Sequence, residues 1–189
     1  MVVSIPQVLI VGLGNLPLPM TRHSVGHLIV DSLASRLGIR MLSDRAMGGF
    51  VGHTTTTFGN DPVSVTLFKP KTLMNISGRS VSTALRQTVQ SSSSMIVIHD
   101  SLSHKPEKLS YKLGGSANGH NGVKSVISAL GGDAGFHRLR IGIGHNDVDA
   151  AEYVLTKLSQ HEREFWGEDG EGTDLVLHEI ERIMGKLAG

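Results

Sequence analysis

Five polar side chains lie where predicted strands or helices begin or end, and their types suit hydrolysis. Asn15 and Asp100 each follow an apolar run, His23 lies at the start of a predicted helix, and Asn75 and Asn121 each precede one. Strand ends are where α/β folds build their sites. The pattern therefore predicts one site containing a histidine, a carboxylate and three amides.

This set of residues can cleave an ester with water as the nucleophile. A neutral imidazole can take a proton from water near pH 7. A carboxylate on its other ring nitrogen holds the tautomer and stabilises the imidazolium, and amides can donate to a developing oxyanion without adding charge. We therefore hypothesise that His23 is a general base oriented by Asp100.

Taken singly, each of these residues also has an ordinary structural explanation. A histidine at a helix start is more often a cap or a surface residue than a base, and Asp100 could cap a helix or complete a turn. Asn15 could hold a left-handed turn, Asn75 could cap the next helix, and Asn121 precedes Gly122 in a common turn pair. The sequence does not show that His23 and Asp100 meet.

Other catalytic motifs fit the sequence poorly. There are no cysteines, which excludes a thiol nucleophile and thiolate metal sites. The glycines of Gly12-Leu13-Gly14 follow a strand, but the third glycine of a dinucleotide loop is missing. His23 and His27 have zinc-ligand spacing, but Ser24 replaces the usual glutamate and no obvious third ligand follows. We expect no metal, no cofactor and no serine nucleophile, since G-x-S-x-G is absent.

The charge distribution is uneven, although the net charge is only +1. Residues 69–140 contain ten Lys and Arg and three acids, a net charge of +7, whereas the rest of the chain carries −6. A local basic surface is what phosphate binding requires, although a solvated face would look the same. The candidate catalytic residues Asn75, Asp100 and Asn121 lie in the same stretch.

The composition and the apolar pattern predict one α/β domain over residues 1–189. The chain is 39% hydrophobic, and no stretch approaches the roughly 20 apolar residues of a membrane span. We expect a central mixed, largely parallel sheet flanked by helices. The predicted strands are 8–11, 50–58, 63–68, 95–98 and 138–143, and the predicted helices are 25–37, 76–90, 123–130, 159–167 and 173–187. With no signal peptide apparent, we expect a cytoplasmic protein, or a mitochondrial one if a presequence was removed.

Seven segments in order resemble the bacterial-type peptidyl-tRNA hydrolase family. They span roughly residues 8–158 and include Val11-Gly12-Leu13-Gly14-Asn15, Thr21-Arg22-His23-Ser24-Val25-Gly26, Lys69-Pro70-Lys71-Thr72-Leu73-Met74-Asn75-Ile76-Ser77-Gly78, His99-Asp100, Lys112-Leu113-Gly114-Gly115, Gly119-His120-Asn121-Gly122-Val123-Lys124 and Phe136-His137-Arg138-Leu139-Arg140-Ile141-Gly142-Ile143-Gly144-His145. The resemblance implies a cofactor-free, monomeric esterase that cuts the bond between a peptide and the 3′ end of tRNA.

The same resemblance implies roles for individual residues. His23 resembles the catalytic base and Asp100 its orienting carboxylate, while Asn15, Asn75 and Asn121 resemble the amides that hold the ester, the peptide and the water. Met74 and His120 flank that site. Lys112 and Arg140 match positions that grip phosphate near the acceptor end of the tRNA, where contacts position the RNA without reading its sequence.

Three regions depart from the bacterial pattern. The segment 16–22 is shorter and lacks the usual tyrosine, Ser101 and Ser103 replace two acids, and the part after Val154 differs. These departures favour a eukaryotic branch of the family, with fungi as the candidate group.

Two other functions remain open on the sequence alone. One is an RNA-binding splicing factor on the same fold, because fold does not fix function. The other is a different hydrolase, such as a nucleosidase or a peptidase, for which metal dependence would be the distinguishing property.

Overall fold

The computed structural model describes residues 5–187, which form seven strands and six α-helices. The strands are β1 Gln7–Gly12, β2 Leu42–Asp44, β3 Gly49–Phe58, β4 Asp61–Pro70, β5 Met95–Ser101, β6 Leu109–Leu113 and β7 His137–Gly142. The helices are α1 Val25–Arg36, α2 Gly78–Gln87, α3 Asn121–Ala129, α4 Ala150–Tyr153, α5 Gln160–Phe165 and α6 Glu171–Leu187. Three short 3-10 turns lie at Arg22–Ser24, Met74–Ile76 and Ser92–Ser94.

All seven strands belong to one mixed sheet with the order β2-β3-β4-β1-β5-β7-β6. The four central strands, β4, β1, β5 and β7, are parallel. The flanking pairs β2–β3, β3–β4 and β6–β7 are antiparallel. The expected α/β fold with a mixed sheet is therefore confirmed, but the parallel character is limited to the centre, since three of the six pairings are antiparallel.

The core lies on both faces of the sheet, and the continuous apolar run of β1 contributes to both. Val8 and Ile10 of β1 face one cluster with α1 and α6, whereas Leu9 and Val11 face the other cluster with α2 and α3. A strand buried on both faces reads as a continuous apolar run rather than an alternating one. Among residues 5–187, no helix has both the length and the apolar character that crossing a membrane requires.

The prediction missed the two strands at the edges of the sheet, whose residues are half-buried or exposed. The three residues of β2 are too few to show a pattern, whereas β6 alternates apolar Leu109, Tyr111 and Leu113 with polar Ser110 and Lys112, a strand signal that was available in the sequence. The hairpin between β3 and β4 turns at Gly59-Asn60, and Pro62 lies inside β4, where it faces Thr57. The second predicted helix begins at Gly78 rather than 76, because residues 74–76 form a 3-10 turn.

Close contact at Gly26 places the start of α1 against the ends of β1 and β5. A Cβ atom on Gly26 would lie 2.5 Å from the carbonyl oxygens of both Leu13 and Ile98. Only a residue without a side chain allows this approach. The 3-10 turn that carries His23 is thereby brought directly over the end of β5, which carries Asp100.

Candidate active site

The carboxyl ends of the four parallel strands meet at one edge of the sheet, as open α/β folds require for a site. Asn15 follows β1, the turn with Met74 and Asn75 follows β4, and Asp100 is the penultimate residue of β5. The positions of Asn15 and Asp100 agree with the strand ends that the apolar runs predicted.

His23 and Asp100 are in direct contact, which the sequence could not establish. The Nδ1 atom of His23 lies 2.8 Å from Oδ1 of Asp100. Since the carboxylate can only accept, Nδ1 carries the proton, and Nε2 has the free lone pair. Asp100 is almost completely buried, and 14% of the His23 side chain is exposed, on the wall of a cavity.

His120 binds the same carboxylate oxygen, and its tautomer is fixed by helix α3. Its Nε2 lies 2.9 Å from Oδ1 of Asp100, while its Nδ1 accepts the backbone N–H of Val123 at 3.2 Å. Because Nδ1 must be an acceptor to cap the helix, the proton lies on Nε2 and is donated to Asp100. Asp100 therefore receives two imidazole donors, one of them tied to the helix that begins at Asn121.

The electrostatics of the site keep Asp100 ionised. Burial alone would raise the pKa of Asp100, but His120 and then His23 outweigh it, so the pKa lies well below its usual range. Next to it, burial lowers the pKa of His99, whose Nδ1 donates to the backbone oxygen of Asp100 at 2.8 Å. The site therefore contains one buried carboxylate surrounded by imidazoles, and His99 is neutral.

Asn15 and Met74 lie behind this cluster and link the ends of β1 and β4. The side-chain oxygen of Asn15 accepts the backbone N–H of Met74 at 2.7 Å, and its own backbone N–H donates to Ser24 at 3.0 Å. Met74 is buried, and its sulfur lies 2.3 Å from where a Cβ atom on Gly122 would stand. The absence of a side chain at Gly122 lets the start of α3 close against the 74–76 turn.

A cavity of about 450 Å³ opens beside the cluster and brings several of the predicted site residues together. The predicted residues on its wall are His23, Asp100, His120, Asn121 and Arg140. The other four lie outside it: Asn15 and Met74 behind the cluster, Asn75 exposed on the 74–76 turn, and Lys112 on β6.

Three cations share one face of the β6–β7 pair beside the cavity. Lys112 lies opposite Arg138, and Ser110 lies opposite Arg140, whose Nη2 donates to the Ser110 hydroxyl at 2.8 Å. Cross-strand partners and residues two apart share a face of a sheet. Partial desolvation and repulsion from Arg138 and Arg140 lower the pKa of Lys112, as expected for clustered cations.

Arg138 is a functional candidate that the sequence pattern did not single out. It is 1% exposed, lines the cavity and donates to the carbonyl oxygens of Gly114 at 2.6 Å and Ser116 at 2.9 Å. It therefore holds the glycine-rich loop that leads to His120. The alternation of Arg138 and Arg140 with apolar residues predicted a strand, but it did not indicate that Arg138 is buried.

The arrangement of hydrogen bonds also bears on metal binding. His23, Asp100 and His120 place three ligand atoms within 4.8 Å of one another. However, a metal on Nε2 of His120 would displace its proton and require Nδ1 to be protonated, which would break the cap on Val123. The donor set fits a hydrogen-bonded cluster better than a metal centre.

Comparisons with known proteins identify the family of this chain. The family model described as peptidyl-tRNA hydrolase matches residues 9–186. The chain is 44% identical over 161 residues to the peptidyl-tRNA hydrolase of Citrifermentans bemidjiense, an alignment covering 82% of this chain and 80% of that protein. It is 39% identical to the enzyme of Pseudomonas aeruginosa, with the same two shares covered.

Solved structures point the same way. The crystal structure of peptidyl-tRNA hydrolase from Acinetobacter baumannii superposes with a TM-score of 0.78 and 29% identity, covering 98% of this chain and 93% of that one. A 5′-methylthioadenosine nucleosidase from Arabidopsis thaliana matches with a TM-score of 0.54 and 9% identity, which shows a shared fold alone. From the family match and the close relatives together, this chain belongs to the peptidyl-tRNA hydrolase family.

Proposed function

We propose that this chain hydrolyses the ester bond between peptide and tRNA in peptidyl-tRNA, with water activated by His23, so that the tRNA is recycled. The observation that carries the proposal is the 2.8 Å contact between His23 and Asp100 on the wall of a 450 Å³ cavity. The contact leaves Nε2 of His23 as a base, and no described residue bonds to that atom.

The chemical steps follow from this geometry. Nε2 of His23 takes a proton from water as the water oxygen attacks the ester carbonyl, and Asp100 stabilises the imidazolium that forms. The bond from the carbonyl carbon to the 3′ oxygen of the ribose then breaks, and the imidazolium returns its proton to that oxygen. Asp100 itself stays ionised, because its pKa is held far below neutrality by His120 and His23 against the effect of burial.

The three asparagines are proposed to hold the reacting groups. Asn121 lies on the cavity wall beside His120, so its amide can donate to the developing oxyanion. Asn15 uses its oxygen on Met74, which leaves its NH2 group to donate. Asn75 is exposed on the adjacent turn, where it can meet the peptide backbone.

The basic face beside the cavity is proposed to bind the acceptor stem and 3′ end of the tRNA. Arg140 lies both on this face and on the cavity wall, and Lys112 lies next to it on β6. Phosphates gripped there would place the ester near His23 without selecting a tRNA sequence. Met74 and His120 are proposed to flank the bound ester.

The test is release of an N-blocked aminoacyl group from tRNA. We compare the wild-type chain, His23→Ala and, as a matched control, His53→Ala, which removes an exposed histidine on β3. The His23 variant should lose roughly 100- to 10,000-fold in kcat while binding uncharged tRNA as the wild type does. The control should turn over normally, and a chelator should change nothing in any of them.

Each other outcome points elsewhere. Equal loss of turnover and of tRNA binding in His23→Ala would make His23 structural. Activity abolished by chelation would replace the His–Asp water mechanism with a metal-dependent one. A folded wild-type chain that binds tRNA but never cleaves it would favour the RNA-binding splicing-factor function.

The finer classification is also proposed. The short 16–22 segment and the altered region after Val154 support a eukaryotic, fungal branch. We propose a monomer in the cytoplasm, or in mitochondria if a presequence is removed. Light scattering tests the monomer, since a mass near 20.2 kDa is expected.

A further inference from the structure

The segment that carries the catalytic base is held by the C-terminal part of the chain. The backbone N–H of Arg22 donates to Thr156 at 2.9 Å, and that of His23 donates to Val154 at 2.8 Å. Thr21 pairs with Lys157 as an antiparallel bridge. Residues 20–23 and 154–158 therefore form a short ladder.

One side chain, Arg22, joins this ladder to the next helix. Its Nη1 donates to the Thr156 hydroxyl at 3.0 Å and to the carbonyl oxygen of Lys157, and its Nη2 lies 3.1 Å from a carboxylate oxygen of Glu162. Its guanidinium also stacks over the ring of Tyr153, 4.9 Å from the centroid. The guanidinium of Arg22 thus contacts the end of α4, residues 156–157 and helix α5.

The partners of Arg22 are themselves fixed. Glu162 is buried, and its carboxylate also accepts the backbone N–H of Ser159 at 2.8 Å in a capping box that starts α5. Tyr153 is buried too, and its hydroxyl donates to Ile143 at 2.6 Å. Arg22 therefore connects groups that cannot move independently.

The same segment forms a wall of the cavity. Val154 of this segment lines the cavity together with His23, and so do Ala150 and Ala151 of α4, which leads directly into the segment. If the segment moved away, the wall would be lost, and the backbone N–H of His23 would lose its acceptor.

We infer that Arg22 is a positioning residue that holds segment 153–162 against His23 and thereby keeps the cavity and the base in register. This inference rests on the proposed function for its effect on turnover, but the ordering of the segment does not. It gives a role to part of the C-terminal region, one of the places where the sequence differs from the bacterial pattern.

The experiment compares Arg22→Gln with Arg36→Gln. Arg36 makes a similar link from α1 to the C-terminal part, contacting Asp174 and the carbonyl oxygen of Glu168, but neither of these partners lines the cavity. Both variants remove one cation and one cross-chain link. Hydrogen exchange at the amides of residues 21–23 and 156–158 and steady-state kinetics are measured for each.

Arg22→Gln should speed exchange in those two segments at least tenfold and lower kcat roughly 10- to 100-fold, because small misplacements of reacting groups are costly. KM should change less than threefold, since Lys112 and Arg140 are untouched. Arg22→Lys should recover only part of kcat, because one ammonium cannot serve all the acceptors. Arg36→Gln should leave both the exchange of these segments and kcat near wild type.

Glu162→Gln sharpens the result, because glutamine keeps the capping box while losing the ion pair. Its kcat loss and that of Arg22→Gln should not add in the double variant. Equal exchange and equal kcat in Arg22→Gln and Arg36→Gln would overturn the inference. An inactive wild type would instead contradict the proposed function. The hydrogen-exchange comparison would then still test whether Arg22 orders segment 153–162.

Discussion

The two halves of the site are built on opposite principles. Around Asp100, polar atoms are paired within the protein: one carboxylate oxygen receives both His23 and His120, and His120 also caps a helix. On the β6–β7 face, Lys112, Arg138 and Arg140 crowd their positive charges on one side of the sheet. Only Arg138 is fully buried there, and its guanidinium is used on loop carbonyls.

The first half of the site fixes the geometry of the reacting groups, whereas the second half attracts the substrate. A buried, hydrogen-bonded cluster holds its atoms at fixed distances, which chemistry on an ester needs. Half-buried cations such as Lys112 and Arg140 have looser geometry but a strong field, which suits a polyanion whose sequence does not matter. Substitutions in the first half should therefore lower kcat, and substitutions in the second half should raise KM.

The largest effect within this comparison is expected from Asp100→Asn. The amide can still accept from both imidazoles, but it lacks the charge that stabilises the imidazolium of His23. We expect kcat to fall roughly 100- to 10,000-fold with KM changed less than threefold. Steady-state kinetics with N-blocked aminoacyl-tRNA measure this, and Asp169→Asn, in an exposed turn, is the charge control. A rise in KM without loss of kcat would erase the distinction between the two halves.

A smaller effect, of the opposite kind, is expected when Lys112 and Arg140 are both replaced by glutamine. KM should rise about tenfold with little loss of kcat, and the slope of log KM against log salt should become shallower by about 1.5, for two lost phosphate contacts. The control replaces Arg45 and Lys186, which are exposed, and removes the same charge. An unchanged salt slope would place the tRNA-binding face elsewhere.

The third effect concerns stability rather than kinetics, and it tests the burial behind the cluster. His27 packs against Gly14 in the loop that carries Asn15. Burial, and then the charge of Lys69, lower the pKa of His27 from 6.5 to about 3. Because the unfolded chain binds more protons below pH 6.5, the free energy of unfolding must fall as the pH falls from 6.5 toward 3.

When the pH is lowered from 7 to 5, this histidine should reduce the free energy of unfolding by about 2 kcal/mol. Urea unfolding at both pH values should show that His27→Asn loses about that much less than the wild type. His53→Asn, at an exposed position, should behave as the wild type does. Equal pH dependence in the wild type and His27→Asn would mean that His27 is protonated in the fold.

Prediction from the sequence was most successful for strands that are buried on both faces. The runs Val8–Val11 and Met95–Ile98 predicted two parallel central strands, because a strand buried on both faces is apolar at every position. The same reasoning did not find β2 or β6, because their half-buried or exposed residues form no continuous apolar run. It also placed Asn15 and Asp100 at strand ends, where the fold does put them.

The contacts within the site could not be predicted from the sequence. His23 and Asp100 are 77 residues apart, and His120 was expected only to flank the site, whereas it shares the carboxylate. The capping-box residues Ser159 and Glu162 could have marked the start of α5, but the pairing of Glu162 with Arg22 could not be read from spacing.

By itself, then, the sequence determined the α/β class, the central strands and the types of residue available for ester hydrolysis, because these depend on local hydrophobicity and side-chain chemistry. Only the tertiary structure decided which imidazoles share Asp100, which tautomer His120 adopts and which segment holds His23 in place. Those features depend on distances between residues far apart in the chain, and close backbone contacts such as the one at Gly26 set these distances.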